Sequence, residues 1–350
     1  MPISPTASAN WQAALAAAPR LALMSAPTPL EPLPRLGAWL GRQMPRPVYV
    51  KRDDEIGPGL GGNKTRKLEY LLAEAQAQGA QRVVTFGGLQ SNHARLTAAA
   101  ANRLGLETHL FYFERRPASL PGNLLLNQLL GAKLHFIPLG GDDGGMSLET
   151  AIRLVRWVSR LLVGRSYFIP VGGHTPAGCL GYVRAAVELE DQRQALGLES
   201  AWLVTAAGSG GTLAGLLAGL ALCGSPLRPL GIDVGKLWKG FPGSIAALAG
   251  ETCTRLGVDR RFTAADVPLV EGRFVGPRYG APSPQGLEAM RLAARLEGLL
   301  LDPVYTAKAF AGMLALAKQG TIGNREPLIF LHTGGYPALF AFDEDLLTHA

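Results

Sequence analysis

Apolar residues fall along this chain in two alternating patterns. Short β-branched and aromatic runs read as strands: 82–86, 108–113, 133–138, 167–170, 202–206, 230–234, 267–270 and 328–331. An earlier one, Pro47 to Asp54, ends in a charged turn. Between them lie stretches with helical spacing, at 65–78, 91–104, 123–130, 148–162, 177–194, 213–222, 244–256, 285–296 and 307–318. Glycine closes several of them, as Gly79 and Gly105 do. Short helices are expected at Asn10–Ala17, in an N-terminal arm, and at Leu36–Leu40. Ala26 to Leu30 reads as extended and Pro-rich, and Gly140 to Gly145 as a loop. Regular β-α alternation predicts an α/β protein of two open, mostly parallel sheets, with a site in the cleft at the strands' C-terminal ends.

Composition narrows the function. Of 350 residues 47% are hydrophobic and 17% charged, enough to bury a large core. The net charge of +7 comes without a basic block interleaved with aromatics, so nucleic acid is not expected as a partner. Cys179, Cys223 and Cys253 are widely spaced, with no His/Cys cluster at metal spacing, so no metal is expected. Neither a signal peptide nor a membrane span is legible, which predicts a cytoplasmic protein with no membrane partner.

Three loops carry chemistry. Gly61-Gly62-Asn63-Lys64 runs into a helix, which sets Asn63 as the expected cap and Lys64 in the first turn. A helix N-terminus disfavours an ammonium, so Lys64 is a candidate neutral amine, able to act as base or nucleophile. Gly208-Ser209-Gly210-Gly211-Thr212 lies between strand and helix and suits one phosphate held by backbone N–H groups. It makes a poor dinucleotide fingerprint because Leu213 stands where glycine is wanted, although Asp233 partly matches a ribose-binding acid. Gly87 to His93 follows another strand; Ser91 and Asn92 serve there either as helix caps or as carboxylate ligands. His93 has no Asp or Ser partner in the pattern, which argues against a triad. One lysine, one phosphate cup and one carboxylate cup together point to pyridoxal 5′-phosphate and an amino-acid substrate.

The segments Pro27-Thr28-Pro29-Leu30-Glu31, Val50 to Asp54, Gly61 to Leu68, Gln90 to His93, Asp302 to Thr306 and His332 to Gly335 extend this reading. With them the chain resembles the family of D-cysteine desulfhydrase and 1-aminocyclopropane-1-carboxylate deaminase, over about Pro27 to Phe342. The resemblance implies a fold-type-II pyridoxal-phosphate enzyme, tryptophan synthase β-like, with the cofactor in an interdomain cleft. Residues 1–60 and 170–350 would form the large domain and 61–169 the small one. It implies that Lys64 binds the cofactor aldehyde, that Asn92 contacts the 3′-oxygen, and that Ser91 holds the substrate carboxylate. Gly208, Ser209, Gly210, Gly211 and Thr212 would hold the phosphate. Tyr279 and Tyr305 would flank the substrate, Thr333 would lie near the pyridine nitrogen, and Thr306 counts with the cofactor set. A homodimer is also implied.

Thr306 and Thr333 stand where the deaminase branch has Glu and Leu, which favours the desulfhydrase branch. The implied reaction is α,β-elimination, with D-cysteine first and L-cysteate or 1-aminocyclopropane-1-carboxylate as alternatives. Leu96, Tyr336, His174 and the loop containing Ser283 depart from the family pattern and bear on the substrate. Two other classes stand beside this one. A nicotinamide-dependent oxidoreductase would use Gly208 to Leu213 with Asp233, and a non-catalytic binding protein would keep the fold alone.

Overall fold

The computed structural model describes residues 5–41, 46–138, 148–323 and 325–343. In chain order these form α1 (Pro5–Ala17), β1 (Leu30–Pro32), α2 (Pro34–Leu40), β2 (Val48–Lys51), α3 (Lys64–Ala77) and β3 (Arg82–Phe86). Next come α4 (Asn92–Asn102), β4 (Glu107–Tyr112), α5 (Asn123–Leu129), β5 (Lys133–Phe136), α6 (Leu148–Leu162) and β6 (Tyr167–Phe168). The chain continues with α7 (Pro176–Ala195), β7 (Ala201–Ala207), α8 (Gly211–Cys223), β8 (Leu227–Asp233), α9 (Phe241–Arg255) and β9 (Leu269–Val270). It closes with α10 (Pro284–Glu297), α11 (Thr306–Lys318) and β10 (Leu328–Leu331).

Two sheets result. One has the order β1-β2-β10-β7-β8-β9, the other β5-β4-β3-β6. Every pairing is parallel except β1 with β2, where Leu30 lies opposite Lys51. The expected architecture of two mostly parallel sheets is therefore the observed one. The expected loop at Gly140 to Gly145 lies outside the described residues.

Two departures from expectation have physical reasons. The Pro-rich stretch ends in β1, an edge strand, which is where proline costs no ladder hydrogen bond. The N-terminal arm is not loose: Trp11, 1% exposed, and Leu15 pack into the core formed by α7, α8 and α9. No helix among the described residues is long and apolar enough to cross a membrane.

Candidate active site

A cleft lies between the two sheets. Lys64, Ser91, Asn92, Gly208, Ser209, Tyr279, Tyr305 and Thr333, all expected from the sequence, line it. Helices α3, α4 and α8 begin at Lys64, Asn92 and Gly211, so three N-termini converge on one region. Their dipoles favour an anion and disfavour a cation there.

Lys64 stands at one of these N-termini. Burial, then the charge of Lys67, hold its amine well below the usual lysine range. The loop before it is clamped in place. Arg95, buried in α4, donates to the carbonyls of Gly59 and Gly61 and to Asn123 Oδ1. Gly61 adopts φ 64°, and a Cβ there would stand 2.4 Å from the Asp54 carbonyl oxygen, so only glycine fits. Asn63 does not cap α3 as expected. Its backbone is already helical, and its Nδ2 donates instead to Thr212 Oγ1 at 3.1 Å, tying α3 to α8.

Behind Lys64 lies a buried ionic network that explains several of the family-like segments. Arg66 donates to both Asp53 carboxylate oxygens, at 2.7 and 2.8 Å, and to Glu188 at 3.1 Å. Tyr182 donates to Asp53 at 2.6 Å, Thr28 to Asp53 at 3.0 Å, and Lys51 to Glu188. Burial pushes the Asp53 carboxyl up, but Arg66 and Lys51 outweigh it and hold it below the ordinary range. The network fastens the arm, α3 and α7 to one another.

Ser91 is the N-cap of α4, accepting from Ala94 N–H at 3.2 Å, and it also lines the cleft. Asn92 Oδ1 accepts from Asn123 Nδ2 at 2.9 Å, which leaves its amide donors for the cleft. Tyr279 and Tyr305 share a hydroxyl hydrogen bond of 2.5 Å. Burial raises both phenols, so both stay neutral near pH 7.

Other expected residues are not part of the lining itself. Gly210, Gly211 and Thr212 open α8 directly after the lining residues Gly208 and Ser209. Thr306 is fully buried, and its hydroxyl bonds to Asp302 Oδ1 at 2.7 Å rather than facing the cleft. Asp302 also accepts the N–H groups of Val304, Tyr305 and Thr306, so the motif is a capping device that presents Tyr305. Asp233 is spent on its own turn, accepting from Gly235 and Lys236 N–H, and lies outside the cleft. The oxidoreductase reading loses its ribose ligand. Leu96 and Ser283 are buried away from the cleft, and Tyr336 turns its hydroxyl to Asp54.

Lys67, Leu237 and Trp238, which sequence reasoning passed over, also take part, together with His174, which it had named. Lys67, one turn after Lys64, is buried; its Nζ donates to the Gly172 carbonyl at 3.0 Å and would lie 2.9 Å from a Cβ on Gly211. Burial lowers it to about 8. Trp238 and Leu237 line the cleft, and Trp238 donates to the Gly208 carbonyl at 3.3 Å. His174 stacks on Trp238 at 5.1 Å and bonds through Nδ1 to the Ser209 carbonyl. The lysine spacing i, i+3 was visible in the sequence; the Trp238 contact was not.

The family profile described as pyridoxal-phosphate dependent enzyme matches residues 21–334, nearly the whole chain. The chain belongs to the pyridoxal-phosphate dependent enzyme family. A D-cysteine desulfhydrase of Salmonella schwarzengrund (strain CVM19633) is 40% identical over 332 residues, covering 93% of this chain and 96% of that protein. Among solved structures, an ACC deaminase homologue superposes with a TM-score of 0.82 at 38% identity, covering 99% of both chains. Threonine deaminase isoform 2 from Solanum lycopersicum shares the fold, with a TM-score of 0.65 at 16% identity, covering 99% of this chain and 88% of that one. The fold is that of fold-type-II pyridoxal-phosphate enzymes.

The residues present fit the family's cofactor. A neutral amine suits its aldehyde. The α8 N-terminus with Lys67 suits a phosphate, and Asn92 offers a donor for a ring oxyanion. The walls are thin where a flat ring needs room: a Cβ on Gly172 would meet Ser209 Oγ at 2.3 Å and reach within 4.0 Å of Lys64 Nζ.

Proposed function

We propose that this enzyme catalyses α,β-elimination on a β-substituted amino acid, with D-cysteine converted to pyruvate, sulfide and ammonia. The observation that carries the reading is the buried, charge-poor amine of Lys64 where three helix N-termini meet. The substrate class follows from likeness to proteins named D-cysteine desulfhydrase along nearly the full length.

Pyridoxal phosphate, when bound, draws electrons from the α-carbon of the amino acid whose amine it carries. Lys64, as a neutral amine, accepts the Cα proton and becomes an ammonium. Ser91 and the N-terminal amides of α4 bind the substrate carboxylate, which orients the Cα–H bond. Lys67 and the α8 N-terminus hold the cofactor phosphate, and Asn92 donates to its ring oxygen. Tyr279 and Tyr305 wall off water and flank the β-substituent as neutral donors. The Cβ–S bond then breaks and sulfide leaves with its electron pair.

Branch choice rests on the cleft's lining. Among the described residues no Asp or Glu lines it, and Thr333, which the family resemblance sets near the pyridine nitrogen, is part of the lining. Threonine hydrogen-bonds but does not favour ring protonation as a carboxylate would. A good leaving group such as sulfide demands less electron storage than opening a cyclopropane, which supports elimination.

The domain division at residues 60/61 and 169/170 belongs to this proposal, as does a cytoplasmic homodimer. Buried Cys179 and Cys253 without disulfides suit a reducing compartment. The exposed Trp157, Leu161 and Leu162 of α6 offer an apolar face to a second copy; light scattering at micromolar concentration decides between one and two chains.

The deciding assay measures pyruvate release from D-cysteine, L-cysteine, L-cysteate, D-serine, β-chloro-D-alanine and 1-aminocyclopropane-1-carboxylate. D-cysteine should give the highest kcat/KM, with pyruvate and sulfide in equal amounts. Preference for the cyclopropane would move the enzyme to the deaminase branch. Absence of turnover on every substrate would favour a binding protein.

A further inference from the structure

His93 is the second residue of α4, between cofactor-facing Asn92 and the buried helix body. It lines the cleft with Lys64 yet is only 3% exposed. Its Nε2 sits 3.0 Å from Thr85 Oγ1. The Thr85 hydroxyl spends its proton on the Ile169 carbonyl at 2.8 Å. Thr85 therefore accepts, and Nε2 must carry the hydrogen. The tautomer is fixed, and Nδ1 is left with a bare lone pair. That nitrogen is buried and has no hydrogen-bond partner among the described residues. Leaving a buried acceptor unpaired is costly, so such an atom in a reaction cleft points to a partner that comes and goes.

The partner must be a donor. The ring is kept neutral: burial, then the charges of Lys64 and Lys67, hold it well below the ordinary histidine range. Lys67 is committed to the Gly172 carbonyl. Lys64 has no such commitment, and by the proposed function its amine becomes an ammonium when it takes the Cα proton.

We infer that His93 is a positioning residue, whose Nδ1 accepts a hydrogen bond from the Lys64 amine and steadies it in the protonated state. The inference deepens the proposed function, resting on Lys64 as the proton carrier. It adds a strand-to-helix relay, Ile169 carbonyl to Thr85 to His93 to Lys64. Histidine serves better than a carboxylate here. It stays uncharged while accepting, so it does not pin the lysine as a permanent ion pair.

Two arms test this. The first needs neither cofactor nor substrate: the apoprotein carrying 15N-histidine, with His93 assigned by the His93→Asn variant. At neutral pH the Nδ1 signal should lie at the unbonded value, and as acidification protonates Lys64 it should move into the range of a non-protonated, hydrogen-bonded nitrogen. That acid-induced shift should vanish in Lys64→Met and persist in Lys67→Met. A signal that ignores Lys64, or that reports a protonated Nδ1, overturns the inference even if turnover is as proposed.

The second arm compares two variants of the holoenzyme matched for cofactor content and melting temperature. His93→Asn keeps a polar atom near the Nδ1 position, and His93→Gln keeps only the one near Nε2. His93→Gln should lower kcat about tenfold or more, with KM within about twofold, and His93→Asn should recover a substantial part. Equal losses in the two variants, or a change confined to KM, overturn the inference. If no amino acid is turned over by the wild type, the proposed function fails while the first arm still gives its answer.

Discussion

Replacing Lys67 by methionine should make the protein without cofactor more stable and its hold on the cofactor weaker. Lys67 is buried, and its amine is lowered from 10.5 to about 8 chiefly by burial. A base depressed in the folded state is penalised wherever it is charged. The cost is fully present below about pH 8, shrinks as pH rises through the folded value, and is gone above about 10.4, where the unfolded chain also loses its proton. At pH 7 the difference corresponds to about 3 kcal/mol. Methionine removes that cost, keeps most of the volume, and gives up one hydrogen bond to Gly172, worth about 1 kcal/mol. The net expectation is a gain of about 2 kcal/mol in urea unfolding of the apoprotein at pH 7, fading toward pH 10. Cofactor binding should move the other way. A phosphate dianion beside Lys67 is a charge-assisted partner, so the variant should bind pyridoxal phosphate about 10- to 100-fold more weakly in a spectral titration. A less stable apoprotein would refute the electrostatic reasoning, and unchanged affinity would remove Lys67 from the phosphate site.

Three further outcomes follow from the contacts. Asp53→Asn strips Arg66 of its closest carboxylate and should cost about 3–5 kcal/mol in denaturant unfolding. Because Asp53 and Glu188 are held below the ordinary carboxylate range, their contribution is full above about pH 4 and is lost as pH falls further, so wild-type stability should drop on acidification and that of Asp53→Asn less steeply. Tyr305→Phe breaks the 2.5 Å phenol pair and should lower kcat/KM about tenfold, leaving thermal stability nearly unchanged; an unaltered kcat/KM would remove the pair from catalysis. Trp238→Ala unpacks His174 and frees the Gly208 carbonyl, so cofactor affinity should fall about tenfold with kcat little altered at saturating cofactor.

Much of this was readable along the chain because it is local. Parallel α/β order follows from periodicity, and Lys64 follows from a glycine pair running into a helix. What could not be read is which way a side chain turns once distant segments meet. Thr306 belongs to a convincing motif, yet Asp302 takes its hydroxyl and turns it away from the cleft. Tyr336 is claimed by Asp54, nearly three hundred residues earlier, and so does not narrow the cleft. Asn63 looks like a cap by type, but Thr212 from a different sheet's helix competes for its amide. His93 has no partner near it in sequence that marks it as functional. Its meaning comes from Thr85 on β3 and the carbonyl of Ile169, brought together only by the parallel pairing of β3 with β6. Proline-rich β1 and the arm with Trp11 share that character: composition suggests loose chain, and tertiary packing decides otherwise.

The central claim is that Lys64 alone carries the cofactor, and the other buried lysines make it testable. Burial lowers Lys67 and Lys308 to about 8 and holds Lys64 well below the usual lysine range. Borohydride treatment of the holoenzyme fixes pyridoxal phosphate to the amine it is joined to, and peptide mass spectrometry then locates it. The predicted result is a single modified peptide with the adduct on Lys64. An adduct on Lys67 or Lys308, or none at all, would contradict the assignment.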